Sequence, residues 1–360
     1  MVGARADMTL DGHRANNPYQ GVWNRQNPIY FQWSANITIE RVKVYNGTTI
    51  DIHLDTCDNV LLRNLSLYSA EWDGIHLGNL DNHGFYSNHN VTIEDVYMEG
   101  FMGYSSAQHY AGWTGGSGLD IGKSTDVEIR RVKVINAGAK GIYLDQVTNA
   151  IIDDSDVENT NIHEQTGAYS IMKSVNVRLT NSTSKYSHGL GVDAALLYNS
   201  EIAGNIILEP ELDGIALWQS RLTLVSDNIL RGINATSFGI KFTESADIET
   251  RSNVVNGFRH NLGLKDDLYV IISENLFLGA ARSPIYLFLN CTDTQIHYND
   301  IVKSGLFPSA IYNEDANSTI HAENNWWGTA DNNQLMHIVP ANQSIIWNPF
   351  SLSPYTSKYE

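Results

Sequence analysis

Cysteine is almost missing from this chain. There are two in 360 residues, Cys57 and Cys291, which excludes a disulfide framework and a Cys-based zinc site. Long apolar runs are missing too. None approaches the roughly 20 residues of a membrane span, although 42% of the chain is hydrophobic, so a globular protein with a sizeable core and no membrane span is expected. Positive charge is in short supply, with 23 Lys and Arg against 40 Asp and Glu and a net charge of −17. A general nucleic-acid binder needs a basic footprint, so nucleic acid is not expected as a partner. The few cations are unevenly spread, and Lys123, Arg130, Arg131, Lys133 and Lys140 form a local cluster able to hold an anionic substrate. No secretory leader opens the chain, since Met1-Val2-Gly3-Ala4-Arg5 runs straight into polar sequence. Either the protein is cytoplasmic or a leader was removed; we expect removal, because the opening residues read as part of a repeat, and so expect a protein that works outside the cell or at its surface.

What is present is a repeat. Ile37-Thr38-Ile39-Glu40-Arg41-Val42-Lys43-Val44 alternates apolar and polar residues, the period of a strand. The pattern returns at Val60–Leu67, Val91–Met98 and Val127–Val134, with weaker copies from Ala150, Val177, Ile202, Leu222, Ile248, Val270 and Ile296. A spacing of about 20–25 residues lies in the range of solenoids. Each copy holds a second short strand, such as Ile52-His53-Leu54, Ile75-His76-Leu77, Leu119-Asp120-Ile121 and Ile142-Tyr143-Leu144. The helical half and the Leu-rich consensus of a leucine-rich repeat are absent. Short strands joined by Gly, Asn and Asp turns predict an all-β, parallel β-helix of about 11–12 coils. Residues 1–34 are expected to form a first coil and loop region, 35–320 the regular coils and 321–360 a cap, in one domain and as a monomer. A short helix over Gln334–Ile338, a last strand near Ile345–Trp347 and a Trp326-Trp327 plug would form that cap. At ~4.8 Å per coil, Cys57 and Cys291 would lie far beyond disulfide reach, as two buried thiols.

In this arrangement His53, His76, Asp120 and Tyr143 occupy equivalent outward positions on successive coils. Such a row of bases, acid and phenol is the candidate catalytic group. Lys123, Lys140, Asp145, the loop residues His109, Tyr110 and Trp113, and His163 beyond Tyr143 are the candidate substrate-binding residues. Loops on a rigid scaffold commonly carry binding residues, and the insertions at 101–116, 161–168 and 185–190 flank the row. Asp73 and Asp213 precede Gly-Ile where strands begin and read as turn residues. Calcium would find its ligands at Asp153-Asp154 or Asp331-Asn332-Asn333. No full ligand pattern appears there, and asparagine turns are the default reading. No cofactor is otherwise expected.

The coils, with Asp11-Gly12-His13-Arg14 near the start and Asn325-Trp326-Trp327-Gly328 near the end, resemble right-handed parallel β-helix proteins of the pectate-lyase superfamily. Within it, Asp11-Gly12-x-Arg14 followed by Ile39-Glu40-Arg41-Val42-Lys43-Val44-Tyr45 is similar to the opening of mannuronan C5-epimerases and related alginate-active modules. Those enzymes carry Tyr-Gly-Phe-Asp-Pro-His on the next strand, where this chain has Thr49-Ile50-Asp51-Ile52-His53-Leu54-Asp55. The resemblance thus implies the fold and a polysaccharide substrate, and leaves the reaction open.

Uronate lyases and epimerases must neutralise a carboxylate, remove the adjacent proton and supply another. His76 as base, Tyr143 as acid and Lys123 or Lys140 as neutraliser would meet those needs. A glycoside hydrolase would instead pair Asp120 with Asp145, Asp73 or Asp51 across one or two coils, near the carboxylate spacings such enzymes use. A third class is non-catalytic, a glycan-binding or structural surface or tail-fibre β-helix, because an outward His or Tyr on a ladder is most often simply a stacked surface residue.

Overall fold

The computed structural model describes residues 27–47, 50–70, 72–78, 87–101, 116–163, 165–233, 237–302, 309–315, 319–331, 334 and 344–355, with the backbone alone for 2–11. The chain forms two compact units, residues 1–189 and 190–360, and each is a parallel β-helix. In the first unit the short strands Ile29–Gln32, Ile52–Asp55, Ile75–Leu77, Leu119–Gly122, Ile142–Asp145 and Gly167–Met172 pair in parallel in that order. Longer strands build the other faces. Val2–Asp11, Ala35–Tyr45, Asp58–Tyr68, Asn88–Glu99 and Ser124–Ile135 stack in parallel. Ser124–Ile135 then pairs with two shorter strands of the next coil, Thr148–Asp153 and Asp156–Glu158. The second unit repeats the plan. Its short strands are Leu190–Ala195, Ile215–Trp218, Phe238–Thr243, His260–Lys265, Ile285–Leu287 and Ile311–Asn313.

The corners explain the turn chemistry. Asn36, Asn59, Asn90, Asp126, Asn149 and Asn176 all take positive φ at one corner of successive coils. Arg41, Asn64, Asp95, Arg131, Asp154 and Asn181 do so at a second, and Asn46, Ser69, Asn136, Asn159 and Tyr186 at a third. The left-handed conformation costs most L-residues roughly 1–2 kcal/mol, and Asn and Asp tolerate it best. Polar Asn/Asp punctuation between apolar runs is therefore what bends each coil. Between corners, alternation sends one set of side chains inward. Ile52, Leu54, Ile75, Leu77, Leu119, Ile121, Ile142 and Leu144 are all 0% exposed, each worth roughly 1.5–3 kcal/mol on burial.

The predicted architecture is therefore present, as are both buried free thiols, Cys57 and Cys291. Burial pushes both thiols above their ordinary range, that of Cys291 to about 12. Trp327 is fully buried and Trp326 half-buried, and the last strand pairs Ile345 and Ile346 with Ile320 and His321. The helix expected at 334–338 lies, apart from Gln334, outside the described residues. No helix among the described residues is long and apolar enough to cross a membrane.

The second unit adds an internal ladder. The buried side-chain oxygens of Asn228, Asn253, Asn275, Asn299 and Asn325 accept the backbone N–H of Asn205, Asn228, Asn253, Asn275 and Asn299, at 2.9–3.0 Å. Asn253→Ala orphans the buried N–H of Asn228, at about 1–3 kcal/mol per unsatisfied group. Urea unfolding is expected to register this loss, while Glu249→Ala on the surface stays within about 0.5 kcal/mol of the parent.

Candidate active site

The short strands of the first unit hold the site. Parallel pairing puts Tyr30, His53, His76, Asp120, Tyr143 and Ser170 in one register line, each beside the next. The row expected from alternation is thus in register. Its members nevertheless differ sharply in what they touch.

His76 is the centre. It is buried, as are Asp73 and Asp120, with 8–9% of each residue exposed. His76 Nδ1 lies 3.1 Å from Asp73 Oδ2 and 3.8 Å from Asp120 Oδ2. Asp73 Oδ1 accepts the backbone N–H of Ser117 at 2.8 Å, which locks the carboxylate. Nδ1–H therefore donates to Asp73, and Nε2 has no hydrogen-bond partner among the described residues. Burial by itself would lower the His76 pKa. The charge of Asp120, the hydrogen bond and charge of Asp73 and the charge of Asp55 outweigh it, and the net shift is upward. The Asp120 carboxyl is raised to about 7, first by burial and then by the charges of Asp73 and Asp145, against the pull of His76 and Lys140. Both shifts are upward, so His76 and Asp120 keep their protons to higher pH than usual, as an acid–base pair can use.

Asp73 corrects one expectation. It serves as a turn residue, as Asp213 does by accepting the N–H of Phe238 at 2.9 Å. Its second oxygen, however, orients His76. A visible signal was the spacing Asp73-Gly74-Ile75-His76, which returns the His side chain to the strand start. Gly74 is required there, because a Cβ would sit 2.8 Å from the Gly118 carbonyl and 2.9 Å from Phe101.

His53 departs from the role expected of it. It is 3% exposed. Its Nε2–H donates to Gly78 O at 2.9 Å, and its Nδ1 accepts from Asn27 Nδ2 at 3.1 Å. Asn27 is oriented by taking the Ile50 N–H on its oxygen at 3.3 Å, which assigns neutral His53 with the proton on Nε2. Neither nitrogen is left for proton transfer. Its ring stands edge-on to His76 at 5.2 Å, supporting that ring from the preceding coil.

Other predicted residues divide. Lys140 Nζ lies 5.1 Å from the centroid of the half-buried Tyr143 ring, and its charge reaches Asp120. Asp145 is half-buried, with Gln146 Nε2 at 3.0 Å and Lys173 Nζ at 3.9 Å. Lys123 is exposed at the following corner, its backbone N–H on Asp145 O at 2.9 Å. His163 is exposed, its N–H on Gly138 O at 2.9 Å. His109, Tyr110 and Trp113 lie outside the described residues.

Ligand atoms of Asp73, His76 and Asp120 fall within 4.8 Å of one another, a set able to hold a metal ion. Asp73 Oδ2 and His76 Nδ1 stand 3.1 Å apart, the length of a hydrogen bond and also the spacing of two ligands each about 2 Å from a zinc ion. Asp153, a calcium candidate, accepts side-chain hydrogen bonds from Thr180 and Asn181 of the next coil at 2.7 and 2.9 Å, and residues 332–333 lie outside the described set.

A family model described as "Right handed beta helix region" matches residues 117–261. This chain is a right-handed parallel β-helix protein. No curated protein matches it. Among solved structures it is similar to the periplasmic alginate epimerase AlgG, with a TM-score of 0.54 and 14% identity over 79% of this chain and 76% of that one. It is also similar to the Azotobacter vinelandii mannuronan C-5 epimerase AlgE6 A-module, with a TM-score of 0.52 and 12% identity over 89% of each chain. A GH136 lacto-N-biosidase from Eubacterium ramulus is more distant, with a TM-score of 0.43 and 12% identity over 76% of this chain and 51% of that one. At these identities the likeness is one of fold.

A second buried acid lies one coil before Asp73. Asp51 is 0% exposed, and burial raises it to about 8 against the pull of the Gly47 backbone. A carboxyl with a raised folded pKa binds its proton more tightly in the native state, so stability falls as pH rises from near 4 toward 8. Asp51→Asn is expected to flatten that decline, read as melting temperature from pH 5 to 9. An unchanged slope would mean that Asp51 ionises as freely in the native state as in the unfolded chain.

Proposed function

We propose that this protein acts on a uronic-acid-containing polysaccharide, by β-elimination or C5-epimerisation. One observation carries the reading: a buried His76, oriented through Nδ1 by Asp73, with Nε2 left for substrate and with Asp120 and Tyr143 on the next two coils. His76 Nε2 takes the proton beside the uronate carboxylate, and Asp73 stabilises the imidazolium that forms. Lys140 and a protonated Asp120 carboxyl meet the negative charge that develops on the substrate carboxylate. The Tyr143 hydroxyl gives a proton back. Delivery to the leaving oxygen completes elimination, and delivery to the opposite face of the same carbon completes epimerisation. The likeness in fold to alginate and mannuronan epimerases supports a carbohydrate substrate. We further propose that the chain acts as a monomer outside the cytoplasm, where such polymers lie.

Asp120 favours a second reading. Its raised carboxyl beside Asp145, whose charge contributes to the rise, resembles the acid and partner carboxylate of a glycoside hydrolase. Incubation with alginate, pectate, other polyuronates and neutral glycans separates these readings. Unsaturated ends appear as ultraviolet absorbance, C5 inversion appears by proton NMR, and hydrolysis gives reducing ends alone. Binding without any product would leave a glycan-binding protein.

His76→Ala and Tyr143→Phe are expected to lower turnover by roughly 10²–10⁴-fold, the range of general acid–base catalysis, with the far-UV spectrum unchanged. Wild-type turnover in either variant would dismiss the proposed site. Because His76 works when neutral and Asp120 when protonated, kcat/KM is expected to pass through a maximum: it rises with a midpoint above the ordinary 6.5 as His76 loses its proton, and falls as Asp120, raised to about 7, loses its own. Asp73→Asn removes a hydrogen-bonded charge that holds the midpoint up, so the midpoint is expected to move down.

A further inference from the structure

The second unit carries rings where the first carries acids and bases. Along Ile285–Leu287 the inward Ile285 and Leu287 are 0% exposed, while Tyr286 between them is half-buried on the outer face. Gly263, Tyr286 and Tyr312 share one register line. Tyr286 and Tyr312 stack at 5.1 Å and 28°. Phe288 lies 4.6 Å from Tyr286 and 6.0 Å from Phe238, centroid to centroid. Gly263 makes room for the last ring, because a Cβ there would meet Phe238 Cδ1 and Cε1 at 2.5 Å. Beneath them His260 stacks on Phe238 at 5.1 Å and donates Nδ1–H to Ser283 O at 2.7 Å. Burial lowers its pKa to about 4, so at neutral pH it is an uncharged ring and not a cation.

These rings are not core, and they lie among cations on a chain of net charge −17. Lys241 Nζ sits 5.4 Å from the Phe238 centroid and 4.0 Å from Asp213 Oδ2. The positive charge of Arg259 reaches both His260 and Tyr286, and that of Arg282 reaches His260. Glu314 accepts the Tyr286 hydroxyl proton in a hydrogen bond, which holds that ring. Flat aromatic faces with a few placed polar groups are the features of small-molecule sites. A pyranose offers the complement, an apolar C–H face with hydroxyl edges, and a uronate adds a carboxylate for the cations.

We propose that Phe238, Tyr286, Phe288 and Tyr312 form a saccharide-binding platform on the second unit, which stacks pyranose rings of an acidic chain and meets their carboxylates with Lys241 and Arg259. This rests on the polyuronate reading above and adds to it a second binding surface, remote in sequence from His76. The platform's task is to hold polymer, so its loss affects long substrates and spares short ones.

The test is calorimetric titration of the full-length protein with three tetrasaccharides: oligomannuronate, oligogalacturonate and the neutral cellotetraose. Two binding events are expected with an acidic probe. Tyr312→Ala and Phe288→Ala should each weaken one event by about tenfold or more, a loss of about 1.4 kcal/mol or more. KM for polymer should rise and kcat on a short oligomer should stay unchanged. Native affinity in both variants, with unaltered melting temperatures, would overturn the platform. If either variant melts early, Lys241→Gln decides, since it leaves the rings in place. Loss of the preference for acidic over neutral probe supports the proposal, and an unchanged preference overturns it. Failure of the catalytic reading looks different: no product from any polymer, with the ring-dependent binding event intact.

Discussion

Everything in this protein depends on one coil's backbone N–H groups meeting the carbonyls of its neighbour. Parallel pairing of short strands fixes the axial spacing at ~4.8 Å and allows no local choice of register. A slip by one residue would turn every outward side chain inward. The cost of a slip is severe, because Ile52, Leu54, Ile75 and Leu77 are fully buried. Chemistry on the outer face therefore inherits its precision from the core. His76 and Asp120 lie side by side because Ile75 pairs with Leu119 and Leu77 with Ile121.

That rigidity lets the first unit keep groups that would otherwise be avoided. Asp51, Asp73, Asp120, His53 and His76 are all buried, and burying charge is costly unless it is paired or neutralised. The cost is met in different ways. Asp73 takes a backbone N–H and the His76 proton. His53 satisfies both nitrogens and stays neutral. Asp51 and Asp120 hold their protons to higher pH. His76 differs in keeping one nitrogen free of any described hydrogen bond, and that asymmetry distinguishes a reactive group from a supporting one.

The second unit spends its polar and aromatic residues differently. Its buried polar atoms go into an asparagine ladder that pairs each Asn with the next coil. Its outer face stacks Phe238, His260, Tyr286 and Tyr312. Two uses of one scaffold follow from a rule shared by both units: inward positions on the short strands are filled by aliphatic or aromatic side chains, while outward positions are constrained only by their immediate neighbours.

How much was legible follows from the same rule. Alternation and Asn/Asp/Gly punctuation are local, so the β-helix, its inward residues and the row through His53, His76, Asp120 and Tyr143 could be derived from the sequence by itself. The loss of a free nitrogen on His53 could not. It depends on Asn27 and Gly78, which neighbouring coils bring in from distant positions. The pairing of Asp73 with His76 was half visible as a spacing, but Asp213 has the same Asp-Gly-Ile context and, among the described residues, meets a backbone N–H and a more distant Lys241. The sequence separates them by the residue that follows, His76 in one and Ala216 in the other; only the folded turn shows that the Asp73 carboxylate reaches back to the ring. Period and polarity place residues on a face. Which hydrogen bonds they make depends on the coil stacked beside them, and only folding puts that coil there.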